Sequence, residues 1–241
     1  MKTNNRILFM AIGLVMAVNG LSQTEKGRLT IEPHFGITVA NFVGSTSMGS
    51  TGQIGMIGGF DFQYGISERL SFSIGANYAQ YGARDHGTHT LAGTTTSYTI
   101  GVSENNHMNY HVDYFTFPVT LAFHPLQGLF LRAGIQLGVK TRARVKGETQ
   151  IAGIIVPHPN VSPLSADLAG LTEAELDEDI GDKVKALDFG IPIGIGYEHK
   201  NITLDARYLF GLLNISKEDG EHLRNSAFMI TLGYKFPFPK R

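Results

Sequence analysis

The chain has 241 residues, and its 21 acidic and 20 basic residues leave a formal net charge of −1. That length fits a single domain. Cysteine is absent, so disulfides and a lipid-modified cysteine are excluded. A slightly acidic chain lacks the basic surface that nucleic-acid binding requires, so we expect no nucleic-acid partner.

The first 22 residues have the pattern of a secretory signal peptide. Lys2 and Arg6 precede an uncharged apolar run, Ile7 to Val18, and small or polar residues follow it. A positively charged start, an apolar core and a segment of small residues, in this order, predict cleavage by signal peptidase, here after Ser22. A membrane anchor is the alternative, but the run is shorter than the ~20 residues that a spanning helix needs. We expect residues 1–22 to be removed and residues 23–241 to form one domain.

The rest of the chain alternates between apolar and polar residues in eight segments. Such period-two alternation predicts strands with one apolar face. The segments are Leu29 to Phe42, Ile54 to Ile66, Leu70 to Tyr78, Phe115 to Phe123, Leu129 to Val139, Leu187 to Tyr197, Ile202 to Leu212 and Phe228 to Phe236.

The composition of the two faces distinguishes a soluble barrel from a membrane barrel. A lipocalin-like barrel also alternates, but its polar face meets water and should be rich in Lys and Glu. Here the apolar faces carry no charge, and the polar faces are mostly Gly, Ser, Thr and Ala. Small residues suit the crowded interior of a narrow barrel whose apolar face meets lipid. No apolar run after residue 22 is long enough for a spanning helix, so membrane insertion requires a closed barrel.

The predicted connections alternate between long and short, as in outer-membrane barrels with short periplasmic turns and long extracellular loops. An even number of strands then places both chain ends in the periplasm. The short turns are Ser67 to Arg69, His124 to Gly128 and His199 to Asn201; the long loops are Val43 to Gln53, Gly82 to Val112, Lys140 to Ala186 and Leu213 to about Asn225. Pro33, Pro118 and Pro192 fall inside strands, where we expect bulges or strand ends.

Two segments resemble a known family. Asp113 to Val119 is similar to the aromatic-x-x-x-Pro strand of the PorT-like outer-membrane barrels of Bacteroidetes, and Ala206 to Ile215 is similar to their Arg-Tyr-x-x-Gly-Leu strand. Ala133-Gly134 and Gly190 to Gly196 also fit, and the resemblance covers about Arg28 to Phe236. It implies an outer-membrane barrel. The family includes barrels tied to secretion and gliding machinery, and the resemblance leaves the activity of this chain open.

Two loops carry groups that could bind a metal. His86, His89, His107 and His111 lie in the second long loop, but that loop shows no ligand scaffold, so we expect a solvated loop. In the third long loop, Thr172 and Glu175 in the segment Leu171 to Ala186 fit a capping box, and Gly181 could end a short helix. Its acids, Asp177, Glu178, Asp179 and Asp182, do not match the spacing of an EF-hand, so we expect no metal and no cofactor.

A search for catalytic groups finds only His222, Asn225 and Ser226, near the outer end of the last strand. Nothing in the sequence orients this group, and no nucleophile elbow is present. We therefore predict no catalytic residues and no enzymatic activity.

Charges on the polar faces form the most distinctive constellation. We predict an interior charge network of eight residues: Glu32, Asp61, Arg132, Asp188, Glu198, Asp205, Arg207 and Lys235. An eight-stranded barrel holds only side chains or one small ligand, and buried charges must pair. We expect Arg207 to pair with an acid from another strand and to help close the lumen.

The resulting hypothesis is an all-β, about eight-stranded antiparallel transmembrane barrel with long extracellular loops, in the bacterial outer membrane. We expect a monomeric, non-enzymatic barrel that contacts outer-membrane lipid. It would act as an envelope scaffold, as a surface-contact protein or as a component of a complex with other envelope proteins. A narrow small-solute channel is the alternative. A packed interior favours the scaffold, and a continuous water path favours the channel.

Overall fold

The computed structural model describes residues 25–44, 51–94, 98–157 and 171–239, so the predicted signal peptide lies outside the described residues. Among the described residues, no helix is long and apolar enough to cross a membrane. The strands are β1 (Leu29–Gly44), β2 (Thr51–Gly65), β3 (Leu70–Thr94), β4 (Tyr98–Phe123), β5 (Leu129–Pro157), β6 (Leu171–Asp179), β7 (Leu187–His199), β8 (Ile202–Gly211), β9 (Leu223–Tyr234) and β10 (Phe236–Pro237).

Eight of these strands close into a ring. They follow the order β1-β2-β3-β4-β5-β7-β8-β9, every neighbouring pair is antiparallel, and β1 pairs with β9 as well as with β2. Closure leaves this wall without an unpaired edge. The prediction of an eight-stranded antiparallel barrel is confirmed, and each of the eight alternating segments contributes one wall strand.

The two faces of the wall have the orientation that the alternation predicts. Phe35 on β1 is 68% exposed and Ile193 on β7 is 50% exposed, whereas Glu32 and Asp61 are each 1% exposed. The apolar residues therefore face outward and the polar residues face the lumen. This arrangement suits a barrel surrounded by lipid.

The connections differ at the two ends of the barrel. The short turns at 66–69, 124–128 and 200–201 lie at one end, which we call the short-turn end. The start of β1 and the strand β10 also lie at this end, since Ile31 pairs with Phe236. The opposite end, the long-connection end, carries the remaining connections. The three predicted short turns are confirmed.

Two of the predicted long loops are largely strand, and that part of the prediction is wrong. Across Gly82 to Val112, β3 and β4 stay paired as far as Thr94 and Thr99. β5 continues to Pro157 and pairs with β6. We call residues 85–94, 98–112, 143–157 and 171–179 the surface sheet. These residues extend the wall beyond the barrel, because β2 pairs with β3 only up to Arg84 and β7 pairs with β5 only up to Val139.

The short helix predicted between Thr172 and Gly181 is also wrong. Leu171–Asp179 is strand β6, and it pairs with β5 from Ala152 to Arg144. The Nζ atom of Lys146 on β5 lies 3.2 Å from the Asp177 carboxylate on β6. A capping-box pattern is a local signal, and pairing with a distant strand outweighs it here.

The strand prolines interrupt the hydrogen-bond ladder without adding a residue. Near Pro33, β9 ends at Tyr234 and β10 begins at Phe236, as the prediction of strand ends requires. Pro118 and Pro192 instead lie within β4 and β7, where two consecutive pairs are missing from one ladder but the register does not change. Proline lacks the N–H that such a pair needs. The predicted bulges are therefore wrong at these two positions.

Candidate functional site

The lumen contains all eight residues of the predicted charge network, but they belong to separate groups. All are buried except Glu198, which is partly exposed. The structure brings four of them into one cluster at the centre and holds the other four in smaller groups above and below it. Each group has its own partners and is described in turn.

The central ion cluster consists of Arg132 on β5, Arg207 and Asp205 on β8, and Asp61 on β2. Nη1 of Arg132 lies 2.9 Å and Nη2 of Arg207 lies 3.4 Å from Oδ2 of Asp61. Oδ2 of Asp205 lies 2.9 Å from Nε of Arg207 and 3.4 Å from Nε of Arg132. Each guanidinium thus contacts both carboxylates, and the cluster joins three strands of the wall.

Charge balance makes this cluster possible inside a narrow lumen. An arginine keeps its charge in a protein, and an unpaired buried charge costs several kcal/mol, on the order of magnitude. Two guanidiniums facing two carboxylates have no net charge. The side chains of Arg132 and Asp205 are each only 1% exposed, so the pairs are largely removed from water. The cluster therefore occupies the lumen as a neutral, crosslinked group.

Glu32 lies beside the central ion cluster, opposite Asp61 in the ladder of β1 and β2, but its hydrogen-bond partner is neutral. Its Oε1 accepts a hydrogen bond of 2.6 Å from the hydroxyl of Thr203 on β8. Gly233 on β9 makes room for this contact, because a Cβ there would lie 2.7 Å from Oε1 of Glu32. This bond connects β1 to β8 across β9.

A third group closes the short-turn end of the lumen. Lys235 forms an ion pair with Glu198, at 2.5 Å. The Nζ atom of Lys235 and the guanidinium carbon of Arg132 lie 5.8 Å and 5.2 Å from the ring centroid of Phe130. His124, in the turn after β4, packs against the same ring. Burial, followed by the positive charge of Lys235, lowers the pKa of His124 below its usual value.

Asp188 lies in a fourth group, nearer the long-connection end. Its Oδ2 accepts a hydrogen bond of 2.9 Å from the side-chain amide of Asn225 on β9. The same amide lies 3.3 Å from the hydroxyl of Tyr114 on β4. Nearby, Gln136 donates a 3.1 Å hydrogen bond to the hydroxyl of Tyr81. Polar side chains on five strands thus form a layer above the central ion cluster.

An apolar layer covers this polar layer, and the sequence analysis did not identify it. The buried cluster includes Val112, Leu209 and Met229, with Ile180 and Ile215 from the connections. The sequence did contain a signal for this apolar layer, because Tyr81, Leu209 and Met229 occupy inward positions in the alternation of their strands. The composition of the inward faces as a whole, rich in Gly, Ser and Thr, obscured it.

Two connections cover the long-connection end. Val184, before β7, forms a β-bridge with Ser216, before β9. The N–H of Lys185 donates to the carbonyl of Ile215, and the N–H of Lys217 donates to the carbonyl of Lys183. The ammonium of Lys140 donates to the carbonyls of Gly181 and Val184. These bonds hold the two connections together over the lumen.

The four histidines of the predicted second loop lie on paired strands instead of a solvated loop. The rings of His86 and His107 face each other with centroids 4.9 Å apart. Nε2 of His111 lies 2.9 Å from the side-chain amide nitrogen of Gln53. His89 pairs with Glu104 through the backbone, and its side chain lies outside the described part of the structure.

The acids of the third long connection are also separated. Asp177 pairs with Lys146, while Oδ1 of Asp179 accepts a hydrogen bond from the backbone of Gly181. Across the residues that the structure describes, no group of three or more His, Asp or Glu side chains is placed to hold a metal ion.

Two of the three residues considered for catalysis, Asn225 and Ser226, point to opposite faces of β9. Asn225 is 1% exposed and points into the lumen, where it contacts Tyr114 and Asp188. Ser226 follows it on β9 and contacts the hydroxyl of Tyr208 on the outer face. Consecutive residues of a strand point to opposite faces. Asn225 and Ser226 therefore cannot act on one substrate.

A closed ring of antiparallel strands, apolar outside and charged inside, defines a small transmembrane β-barrel of the bacterial outer membrane. The family model described as "Outer membrane protein beta-barrel domain" matches residues 21–217. The chain belongs to this family, and its location is the bacterial outer membrane. No curated protein matches the chain.

Several solved barrels are similar to this chain at low sequence identity. The attachment invasion locus protein Ail of Yersinia pestis is 12% identical, with a TM-score of 0.39, over 88% of this chain and 99% of that one. Neisserial surface protein A is 13% identical, with a TM-score of 0.35, over 86% and 97%. The N-terminal β-barrel domain of Pseudomonas aeruginosa OprF is 14% identical, with a TM-score of 0.29, over 88% and 98%.

Proposed function

We propose that this protein is a non-enzymatic, monomeric outer-membrane barrel that contacts other envelope proteins or external surfaces through its surface sheet. The observation that carries the proposal is the packed lumen. Four ionised side chains at its centre pair with one another, and an apolar layer lies above them. A barrel with a filled lumen serves to anchor the surface sheet to the membrane.

The runner-up is a narrow channel for small solutes, and the lumen argues against it. A solute would have to break the pairing of Arg132 and Arg207 with Asp61 and Asp205, which is costly in a poorly hydrated interior. It would also have to pass the connections that are bridged at Val184 and Ser216. An eight-stranded barrel leaves little space beyond its own side chains.

The surface sheet supports a role in protein contacts. Among the described residues, β3 from Asp85 to Thr94 pairs only with β4, and β6 pairs only with β5. Within this part of the chain, each strand therefore has one edge that faces no other described strand. An exposed sheet edge can take up a strand of a partner through main-chain hydrogen bonds.

We further propose that the chain is a PorT-like barrel, with residues 1–22 removed after export. The support is the sequence of β4 around Pro118 and of β8 from Ala206 to Gly211, together with the charge and apolar pattern of residues 1–22. In this proposal the outer face contacts lipid, and the partners are envelope proteins near the long-connection end.

A shortened surface sheet tests the proposal. Because His86 pairs with His107, residues 87–106 can be replaced by an Asn-Gly turn that keeps the register of β3 and β4. Protein partners would be crosslinked in native outer membranes and identified for the wild type and for the variant. We expect the variant to fold with the heat-modifiable gel mobility of the wild type and to lose the partners that bind the edge of β3. The same partners on a folded variant would contradict a role for that edge, because the variant keeps β6 and its edge.

A further inference from the structure

A cavity of about 370 Å³ opens at the long-connection end, above the apolar layer. Its walls come from β1, β3, β4, β5, β6 and β9 and from the connections before β7 and β9. Small-molecule sites are typically concave and about 300–1,000 Å³ in volume. The cavity is therefore large enough for a compact organic molecule. We call it the mouth cavity.

The floor and walls of the mouth cavity are mainly apolar. They include Phe42, Tyr110, Val145, Ile180 and Ile215. The rings of Phe42 and Tyr110 pack edge to face, with centroids 6.2 Å apart. Such walls favour an apolar ligand, because binding removes apolar surface of both partners from water.

The charged groups of the mouth cavity have a strong excess of one sign. Four described lining residues are acidic, and one, Lys183, is basic; the acids are Asp85, Glu178, Glu218 and Glu221. Burial raises the pKa of the Tyr110 hydroxyl. The negative charges of three of these acids, Asp85, Glu221 and Glu218, raise the same pKa further. Their field converges inside the cavity, where it favours a cation.

The acidic side of the mouth cavity is held in place by hydrogen bonds. Oδ1 of Asn214 accepts from the N–H groups of Ser216 and Leu223. The hydroxyl of Ser216 donates to Glu221 over 3.1 Å and accepts from the N–H of Glu218. These bonds order the connection before β9 without a ligand, so binding requires little rearrangement.

We propose that the mouth cavity binds a small apolar molecule that carries an ammonium group. The apolar part lies against Phe42, Val145 and Ile215, and the ammonium lies toward Glu218 and Glu221.

This site is separate from the central ion cluster. It shares Asp85, Leu176 and Glu178 with the surface sheet, but it binds its ligand through side chains and leaves the backbone edges of β3 and β6 unused. It does not depend on the function proposed above.

Three naphthalene probes of similar size test this proposal. They are 1-naphthylmethylamine, 1-naphthylmethanol and 1-naphthaleneacetate, which are cationic, neutral and anionic at pH 7. Binding is measured by calorimetry on the barrel in phosphatidylcholine nanodiscs, with empty nanodiscs subtracted. We expect the amine to bind about tenfold more tightly than the alcohol and the acetate to bind least. Added salt should reduce the preference for the amine.

Variants assign the effect to the mouth cavity. Glu218→Gln combined with Glu221→Gln should reduce the preference for the amine about fivefold or more, while binding of the alcohol stays the same. Val145→Phe, which occupies the apolar wall, should weaken all three probes. Glu68→Gln, in a turn at the opposite end, is the matched control and should change nothing.

Either of two results overturns the proposal. The first is that the wild-type protein binds the three probes equally or binds the acetate most tightly. This measurement does not depend on the folding of any variant. The other is an amine preference that Glu68→Gln reduces as much as the double variant does. Retained binding after removal of residues 87–106 separates this site from the proposed surface contact, because the mouth-cavity residues remain in that variant.

Discussion

Nη2 of Arg207 lies 3.4 Å from Oδ2 of Asp61, and this contact joins β8 to β2 through the lumen. The two strands are not neighbours in the ring, since β9 and β1 separate them. The contact therefore adds a connection that the backbone ladder does not provide. Arg132 reaches the same carboxylate oxygen from β5.

Removal of the Arg207 guanidinium should destabilise the barrel. In Arg207→Ala, Asp205 loses its 2.9 Å partner inside the lumen, and the loss of one partner from a buried pair costs about 3–5 kcal/mol. Unfolding in urea, followed by heat-modifiable gel mobility, measures the effect. The control is Arg28→Ala, which removes an exposed pair with Glu25 and should cost less than about 1 kcal/mol.

Planar-bilayer recordings of the same variant distinguish the plugged barrel from the channel. We expect the wild type to conduct little, and Arg207→Ala to show added leak because the central ion cluster loses one of its two guanidiniums. A large, steady wild-type conductance that Arg207→Ala leaves unchanged would contradict the plugged lumen and favour the channel.

The lipid face should not tolerate charge. Ile193, in the middle of β7, is 50% exposed, and Leu121, two residues before the end of β4, is 49% exposed. Replacement of Ile193 by Arg should cost about 2–4 kcal/mol near the bilayer midplane, and replacement of Leu121, which lies nearer the interface, should cost less. Folding yield into lipid vesicles measures the loss, and Ile193→Leu is the apolar control. Full yield for both Arg variants would mean that these positions do not face lipid.

The orientation of the barrel can be read from epitope tags on intact cells. A tag inserted between Thr94 and Tyr98, at the end of the β3–β4 hairpin, should be reached by antibody, because long connections of such barrels lie outside. A tag after Arg241 and a tag between Glu68 and Arg69 should be protected. Labelling of the last two tags with protection of the first would reverse the orientation.

The buried turn histidine predicts a loss of stability at acidic pH. The pKa of His124 is lowered in the folded protein, so the unfolded chain binds a proton more readily. Its contribution is fully present above the unfolded pKa of about 6.5 and is lost as pH falls through the lower folded pKa. His124→Gln should therefore show a smaller fall in melting temperature between pH 8 and pH 5 than the wild type.

The matched control for this measurement is His86→Gln, since His86 lies exposed on the surface sheet. We expect it to keep the pH dependence of the wild type. An unchanged pH dependence in His124→Gln would contradict a role for the buried imidazole.

Alternation was enough to predict the wall, because inward and outward positions of a strand differ strongly in chemistry. The same alternation predicts from the sequence alone that Asp61, Arg132 and Arg207 face the lumen. It could not say which charges meet, because contacts across a lumen depend on strand order, register and closure together. Arg132 and Asp61 are 71 residues apart and are brought together only by the closed ring.

The surface sheet was missed for a different reason. Residues 85–94 are rich in Gly, Thr and His and have little apolar pattern. In residues 98–112 an apolar face begins with Tyr98, Ile100 and Val102 and resumes at Met108, but Glu104 and Asn106 interrupt it. Their strand structure comes from the backbone ladder that continues from the barrel wall. For β6, the local capping pattern of Thr172 and Glu175 was the stronger sequence signal, and pairing with β5 overrode it.

The continuity of β4 and β5 has a consequence for recognition. These strands contain 26 and 29 residues, which at ~3.3 Å per residue is more than twice the thickness of a bilayer core. The part outside the membrane is therefore anchored to the wall by the same ladder. A partner that pairs with the edge of β3 or β6, as proposed above, would meet a surface already in its bound shape, because the conformational entropy that a free loop would lose on binding has already been lost during folding.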